Sequence, residues 1–293
     1  MADKKDEQKS NIELWSDVFF AMEAENWDKN KWAKPQFLIS TDSLPWFGLD
    51  LVFDLAKSNW FDGIDLAMWK NFDAWNVDYV KRISKNYDLP LRVVQVSTNV
   101  NEKELNKALD VCDATWADTI CINAPKYFNY RSFNFLADNI NFYRKHNKNL
   151  NFAIINPEDS NFFALPIPKY RFTNIVEIIK KYWCYIWLDV SNMNMDWFES
   201  VFMRKLNDFL PYVAVLYLSD KTKIWEWHIL PGEWIMKLPN LLKKLKQNGF
   251  YRHISVKINV DKSDLSDPDK VNLILKKIRT YLKENYEDIK PEL

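Results

Sequence analysis

The stretch VAVLYLSDK (213–221), followed by HILPGEW (228–234) and LPNLLKKLKQNGFYRHISVKI (238–258), decides the fold. VAVLYLS (213–219) is a short β-rich run, and LLKKLKQN (241–248) is a helical pattern that stops at Gly249, where the chain needs a residue free to turn left-handed. ISVKIN (254–259) is β-rich again. A strand, a helix and a second strand in succession make a βαβ unit, and its two strands run parallel.

Working outward, the same alternation covers the rest of the chain. QFLIST (36–41), GIDLAM (63–68), RVVQVS (92–97), TICINA (119–124), NFAIIN (151–156) and YIWLDV (185–190) join VAVLYLS and ISVKIN as strands, and helix-length segments separate them. Eight such units predict a single (β/α)8 barrel, an α/β fold, over residues 36–293. Helix punctuation agrees. Asn101 and Glu104 form a capping pair, and Asp267-Pro268 places a cap and then a proline at the start of the last helix. Residues 1–35 are read as an N-terminal extension, partly helical, in which IELWSDVFFAME (12–23) closes the bottom of the barrel. DKSDLSDPD (261–269) is a loop before the last helix, not an interdomain linker.

Forty basic residues balance forty acidic ones, so no basic excess draws in nucleic acid or an anionic membrane. The charged start MADKKDEQKS lacks the apolar core of a signal peptide, and no apolar run approaches the roughly 20 residues that span a bilayer. The expectation is a soluble, cytoplasmic protein. Cys112, Cys121 and Cys184 lie far apart without a CxxC pair and are read as small buried hydrophobes. The abnormal feature is four glycines beside fourteen tryptophans, where average usage of about 7% would give roughly 20 glycines.

Three local patterns resemble the xylose-isomerase-like barrel family of sugar isomerases, sugar epimerases and endonuclease-IV-type enzymes. NWFDGIDL (59–66) is similar to the family's second strand, which ends in an acid. WLDVSNM (187–193) is similar to the sixth-strand pattern of leucine, aspartate, two residues and histidine. The 216–258 block resembles the seventh strand, its long loop with a histidine and a glycine-glutamate-glycine turn, the seventh helix and the eighth strand. Together these blocks set the family order over about residues 36–286.

The resemblance gives the tryptophans a reading. At Trp60, Trp116, Trp187 and Trp234 the family pattern calls for glycine, where a helix ends, a strand begins or a loop turns tightly. With glycine for tryptophan, WEWHILPGEW (225–234) becomes GEGHILPGEG, closer to the family loop. This points to a coding lineage in which UGA specifies glycine. The competing reading is a tryptophan-rich surface that stacks sugars or nucleobases.

The resemblance also implies a site at the C-terminal ends of the strands, where family enzymes hold a divalent metal with a glutamate, an aspartate, a histidine and a glutamate from strands five to eight. Only the aspartate is kept, as Asp189. The others fall on Ile155 or Asn156, on Tyr217 and on Lys257, and the histidine after the aspartate falls on Asn192. A lysine cation beside Asp189 would fill the metal's electrostatic place with an ion pair. Asp189, Glu226 and His228 form the remaining candidate metal set, with Glu158 as a fourth ligand.

Candidate catalytic residues are therefore Asp189, His228, Glu233 and Lys257. Candidate substrate contacts are Asp65, Gln95, Asn123, Asn156, Asn192 and Asp220, of which the amides suit hydroxyl recognition. His228 and Glu233 have the alternative role of shaping their loop, and His146 and His253 are read as solvated. Three functions follow. One is a sugar isomerase/epimerase-like barrel acting on or binding a small sugar, polyol or sugar phosphate, with a degenerate site for one divalent metal. Another is a metal-free barrel that binds a small ligand without turnover. The third, an endonuclease-IV-like nuclease, is disfavoured by the ligand count and the zero net charge.

Overall fold

The computed structural model describes residues 25–30, 33–158, 169–171, 175–222, 227–232 and 235–289. Eight parallel strands close into one barrel: β1 (Gln36–Ser40), β2 (Gly63–Ala67), β3 (Leu91–Val96), β4 (Thr119–Ile122), β5 (Asn151–Ile155), β6 (Tyr185–Asp189), β7 (Val213–Leu218) and β10 (His253–Val256). Each strand pairs with its sequence neighbours, and β1 closes the ring on β10 with Gln36 opposite His253. A two-stranded antiparallel hairpin, β8 (Asp220–Lys221) and β9 (Trp227–Ile229), stands on the loop after β7. The sequence places all eight barrel strands, because buried parallel strands read as short apolar runs.

The pleat sorts side chains into two cores. On β5, Phe152 and Ile154 face the helices while Ala153 and Ile155 face the barrel interior; on β6, Ile186 and Leu188 face out while Tyr185 and Trp187 face in. The same alternation turns Asp189, the last residue of β6, inward at the C-terminal mouth. Outside, the helices Leu49–Ser58, Val77–Tyr87, Glu102–Thr115, Tyr130–His146, Ile175–Tyr182, Leu238–Gln247 and Pro268–Leu282 surround the barrel. Between β6 and β7 the helical layer is broken into short segments, Met195–Trp197, Phe198–Phe202 and Leu206–Phe209.

The caps are as expected, with one difference. Asn101 accepts a hydrogen bond from the Glu104 amide at 3.1 Å, and Asp267 accepts from Asp269 and Lys270. Glu104 does not reach back to Asn101. Its carboxylate accepts instead from the amide and hydroxyl of Ser97, which pins the loop after β3. DKSDLSDPD contains one helical turn, Lys262–Leu265. His253 is buried and bonded to Asp118 at 2.8 Å rather than solvated, because it begins β10. His146 is exposed at its helix end. IELWSDVFFAME lies outside the described residues. Among them, no helix is long and apolar enough to cross a membrane.

Trp60 and Trp116 have φ of 61° each, and Trp183 has φ of 50°. Trp116 ends the helix Glu102–Thr115 in the left-handed conformation that glycine adopts freely and a bulky side chain adopts at a cost. Trp187, another position where the family pattern calls for glycine, does not hold a positive φ. It lies within β6, fully buried, its ring 4.8 Å from that of Tyr217. Trp234 lies outside the described residues.

A polar network fills the barrel interior beneath the mouth. Gln95 Nε2 donates to Asp65 Oδ1 at 2.7 Å and to Ser40 Oγ at 2.9 Å, and it meets the Tyr217 hydroxyl. Ser255 Oγ donates to Asp65 Oδ2 at 2.7 Å. Burial raises the Asp65 carboxyl to about 6, against the pull of these hydrogen bonds. The folded pKa thus lies above the unfolded one, so the proton's stabilising contribution is complete below about pH 4 and is lost as pH rises through about 6. Asp65→Asn removes that dependence. The wild type should lose on the order of 2–3 kcal/mol relative to this variant between about pH 4 and about pH 7.5 in denaturant titrations. Parallel curves would contradict the assignment.

Candidate functional site

At the C-terminal mouth, the ends of β4, β5, β6 and β10 and the β8–β9 hairpin enclose a cleft of about 240 Å3. Asn123, Glu158, Tyr170, Asp189, Asn192, His228 and Lys257 line it with Thr98, Asn259 and the apolar Ala124, Ile155 and Pro157.

Asp189 is almost wholly buried. Its Oδ1 accepts from the Ser191 amide at 3.1 Å and the Ser191 hydroxyl at 2.7 Å, while Oδ2 has no hydrogen-bond partner. His228 Nε2 stands 3.6 Å from that oxygen, and its Nδ1 lies 3.0 Å from Ser219 Oγ and 3.2 Å from Ser191 Oγ. Since the Ser191 proton goes to Asp189, the consistent arrangement has Ser219 donating to Nδ1 and Nε2–H directed at Oδ2. His228 has a φ of 60°, and its carbonyl accepts from the Asn259 amide at 2.6 Å. The hairpin therefore holds the imidazole over the mouth in a backbone conformation seldom seen outside glycine, asparagine and aspartate. Burial, opposed by the Asp189 carboxylate and aided by the Lys257 cation, pushes His228 down to about 4, so the ring is neutral.

Lys257 does not pair with Asp189, as the sequence suggests, but with Asp42 at 3.0 Å. Asp42 follows β1, which neighbours β10, and its second oxygen is held by Lys70 at 3.2 Å. Burial opposes the charge of Lys257, but Asp42 and Asp189 prevail and hold the ammonium above its ordinary value. The same contacts keep Asp42 ionised: burial raises it, and Lys257 with Lys70 brings it below the usual carboxylate range.

Several predicted contacts lie elsewhere. Asp65 and Gln95 are fully buried in the network beneath the cleft instead of at its mouth, because each lies before the last residue of its strand. Asn156 donates to the Asp189 carbonyl at 3.0 Å and accepts from its amide at 2.6 Å, so its side chain extends the β5–β6 ladder and does not face a ligand. Asp220 is buried and organises the loop by accepting from the amides of Lys221, Gly232 and Met236. Asn123 and Asn192 do line the cleft, each with its amide nitrogen donating to a backbone carbonyl. Glu226 and Glu233 lie outside the described residues.

A divalent metal does not fit the described donors. Tyr217, at the expected histidine position, points down into the network, and Lys257 places a cation at the expected glutamate. Ile155 is apolar, and Glu158 is held by Lys169. Asp189 and His228 are two donors where an open catalytic site needs three. Among the described residues, no three or more histidine, cysteine or acidic side chains converge on one point.

The reading of the sequence missed Asp42, Lys70, Tyr170, Ser191 and Ser219. Asp42 was within reach of the strand-end rule applied to β1, since QFLIST runs directly into it. Tyr170 lies in an irregular loop with no periodic signal.

No protein-family model matches the sequence, and no curated protein sequence is significantly similar to it. The fold is similar to that of a xylose isomerase domain protein from Alicyclobacillus acidocaldarius, with TM-score 0.64, 11% identity and coverage of 87% of this chain and 99% of that one. It is similar to 3-keto-D-glucoside 4-epimerase from E. coli, with TM-score 0.62, 12% identity and coverage of 83% and 99%. The IOLI protein, solved with a bound zinc atom, gives TM-score 0.58, 14% identity and coverage of 85% and 96%. At these identities the likeness establishes the fold alone, a (β/α)8 TIM barrel.

The electrostatics of His228 can be measured directly. In long-range nitrogen–proton NMR spectra, its ring should remain neutral, with the proton on Nε2, from pH 8 to about pH 5, and titrate near about 4. A midpoint above about 6 would show that the Asp189 carboxylate, not burial, controls the ring.

Proposed function

We propose that this xylose isomerase-like barrel takes a small sugar, polyol or sugar phosphate into the cleft and moves a proton beside its carbonyl without a divalent metal. The observation that carries this reading is Asp189 Oδ2. It is a buried carboxylate oxygen without a hydrogen-bond partner, on a residue that lines the cleft at the strand end where barrels of this type keep their chemistry. Ser191 fixes the other oxygen, so Oδ2 is aimed.

In this mechanism Asp189 Oδ2 accepts a proton from the carbon next to the carbonyl. Lys257 gives one of its three N–H groups to Asp42 and directs the others at the oxygen where negative charge develops. In isomerisation Asp189 returns the proton to the neighbouring carbon on the same face, while the hydroxyl proton on that carbon passes to the former carbonyl oxygen. Neutral His228, with Nε2 3.6 Å from Oδ2, holds that oxygen in place. That one fold neighbour is an epimerase acting on a keto sugar supports the substrate class. A second reading, binding without turnover, is favoured by the Asp42–Lys257 pair, which diverts part of the cation's charge from any ligand. A nuclease is not supported, since the net charge is zero and the donor set holds too few metals.

Incubation with a panel of keto sugars, polyols and sugar phosphates in deuterium oxide separates these readings. The first predicts deuterium incorporation next to the carbonyl of one member, reduced at least about 100-fold in Asp189→Asn. Saturable binding with no incorporation would establish the second reading, and no binding at all would overturn both.

We also propose that the tryptophan positions are glycine in the protein as its cell makes it, through UGA read as glycine. The support is conformational. Trp60, Trp116 and Trp183 hold positive φ, and Trp60 and Trp116 are 80% and 85% exposed. Intact mass of the protein from its native cells should be lower than that of the tryptophan-containing chain by fourteen tryptophan-to-glycine differences. The full mass would make the tryptophans genuine.

A further inference from the structure

We infer that the ligand of this cleft is an uncharged, monosaccharide-sized polyhydroxylated molecule seated on the ring of Tyr170, and that the cleft disfavours phosphorylated forms. This rests on the small-ligand reading of the cleft given above and narrows its substrate class.

The charges on the wall carry the first half. Among the described lining residues, Lys257 is the one cation, and it is matched by Asp42 at 3.0 Å. Asp189 and Glu158 bring two carboxyl groups to the same small volume. Glu158 is itself paired with Lys169. A phosphate ester, with close to two negative charges, would need unmatched lysine or arginine donors, or a bidentate guanidinium. It would meet Asp189 instead. Hydroxyl groups face a suitable wall, since Thr98, Asn123, Asn192 and Asn259 present hydroxyl and amide side chains to the cleft.

The second half comes from a strap across the mouth. Residues 169–171 run antiparallel to 125–127. Lys126 and Tyr170 form a β-bridge, the Tyr127 amide donates to the Lys169 carbonyl at 2.8 Å, and the Arg171 amide donates to the Pro125 carbonyl at 2.9 Å. Arg171 locks this ladder. Its Nε donates to the Tyr127 carbonyl at 2.9 Å, and its guanidinium lies 4.8, 4.6 and 4.4 Å from the ring centres of Tyr127, Tyr130 and Phe133. The strap sets Tyr170 against the inner-barrel cluster and in the wall of the cleft. An aromatic face held in this way suits the C–H face of a sugar ring, while the amides meet its hydroxyls. Arg171 is the positioning residue.

The test uses the full chain and matched probes, D-fructose with D-fructose 6-phosphate and D-xylulose with D-xylulose 5-phosphate, in isothermal titration calorimetry. The neutral member of at least one pair should bind at least about tenfold more tightly than its phosphate. Tyr170→Phe should keep the wild-type affinity to within about threefold, and Tyr170→Ala should lose about tenfold. Arg171→Ala should weaken binding, and Arg171→Lys, which keeps a cation among the three rings, should restore part of it. Tighter binding of the phosphate would overturn the charge argument and leave the sugar reading standing. Equal affinity of wild type and Tyr170→Ala would overturn the stacking role. Failure of the wild type to bind any probe would overturn both this inference and the reading beneath it. The wild-type comparison decides the charge argument even if a variant does not fold.

Discussion

The ion pair between Lys257 and Asp42 is the constraint on which the site depends. It joins β10 to the turn after β1, across the seam where the barrel closes, and fixes the sign of charge at the mouth. A buried lysine without a partner would lose its proton or destabilise the fold, since an isolated charge in the interior costs several kcal/mol. With Asp42 beside it, Lys257 remains a cation, and Lys70 keeps Asp42 from being left with excess negative charge. A positive group thereby stands at the end of β10, and the rest of the site follows. Asp189 Oδ2 is left without a hydrogen-bond partner, His228 is neutral, and amides line the walls.

The pleat of the strands connects this surface chemistry to the interior. Because alternate residues face inward, Tyr185, Trp187 and Asp189 stack along one line inside β6, from the barrel interior to the mouth. Tyr217, opposite Asp189 on β7, turns its hydroxyl toward Ser40 and Gln95 and closes the floor of the cleft. Asp65 beneath is satisfied by Gln95 and Ser255. The interior thus carries a connected polar network beside an apolar cluster, so proton uptake by Asp65 couples barrel stability to pH.

Much of the fold was legible in the sequence, since eight apolar runs separated by helix-length segments have few other arrangements. Asp189 was legible for the same reason, as an acid at a strand end. Partners across the barrel were not. Whether Lys257 meets Asp189 or Asp42 depends on side-chain direction and on closure between the first and last strands, neither of which leaves a local pattern. The amides show the same limit. Asn123 and Asn192 reach the cleft, while Asn156 bonds to the backbone of Asp189 and Gln95 lies one layer down, although all four occur near strand ends. The left-handed backbone at Trp60 and Trp116 was foreshadowed by the shortage of glycine, while Trp183 emerged only from the geometry of the turn into β6.

A lysine–aspartate pair in place of a bound metal has a consequence for stability. Thermal unfolding of the purified protein with and without excess chelator, with manganese or zinc added back and metal content measured on the same sample, tests it most directly. The account predicts less than about 0.1 equivalent of divalent metal, and a melting temperature that neither chelator nor added metal shifts, because no ligand binds the native state to stabilise it. One equivalent of tightly held metal, with a melting temperature that falls in chelator and recovers on adding metal back, would contradict it.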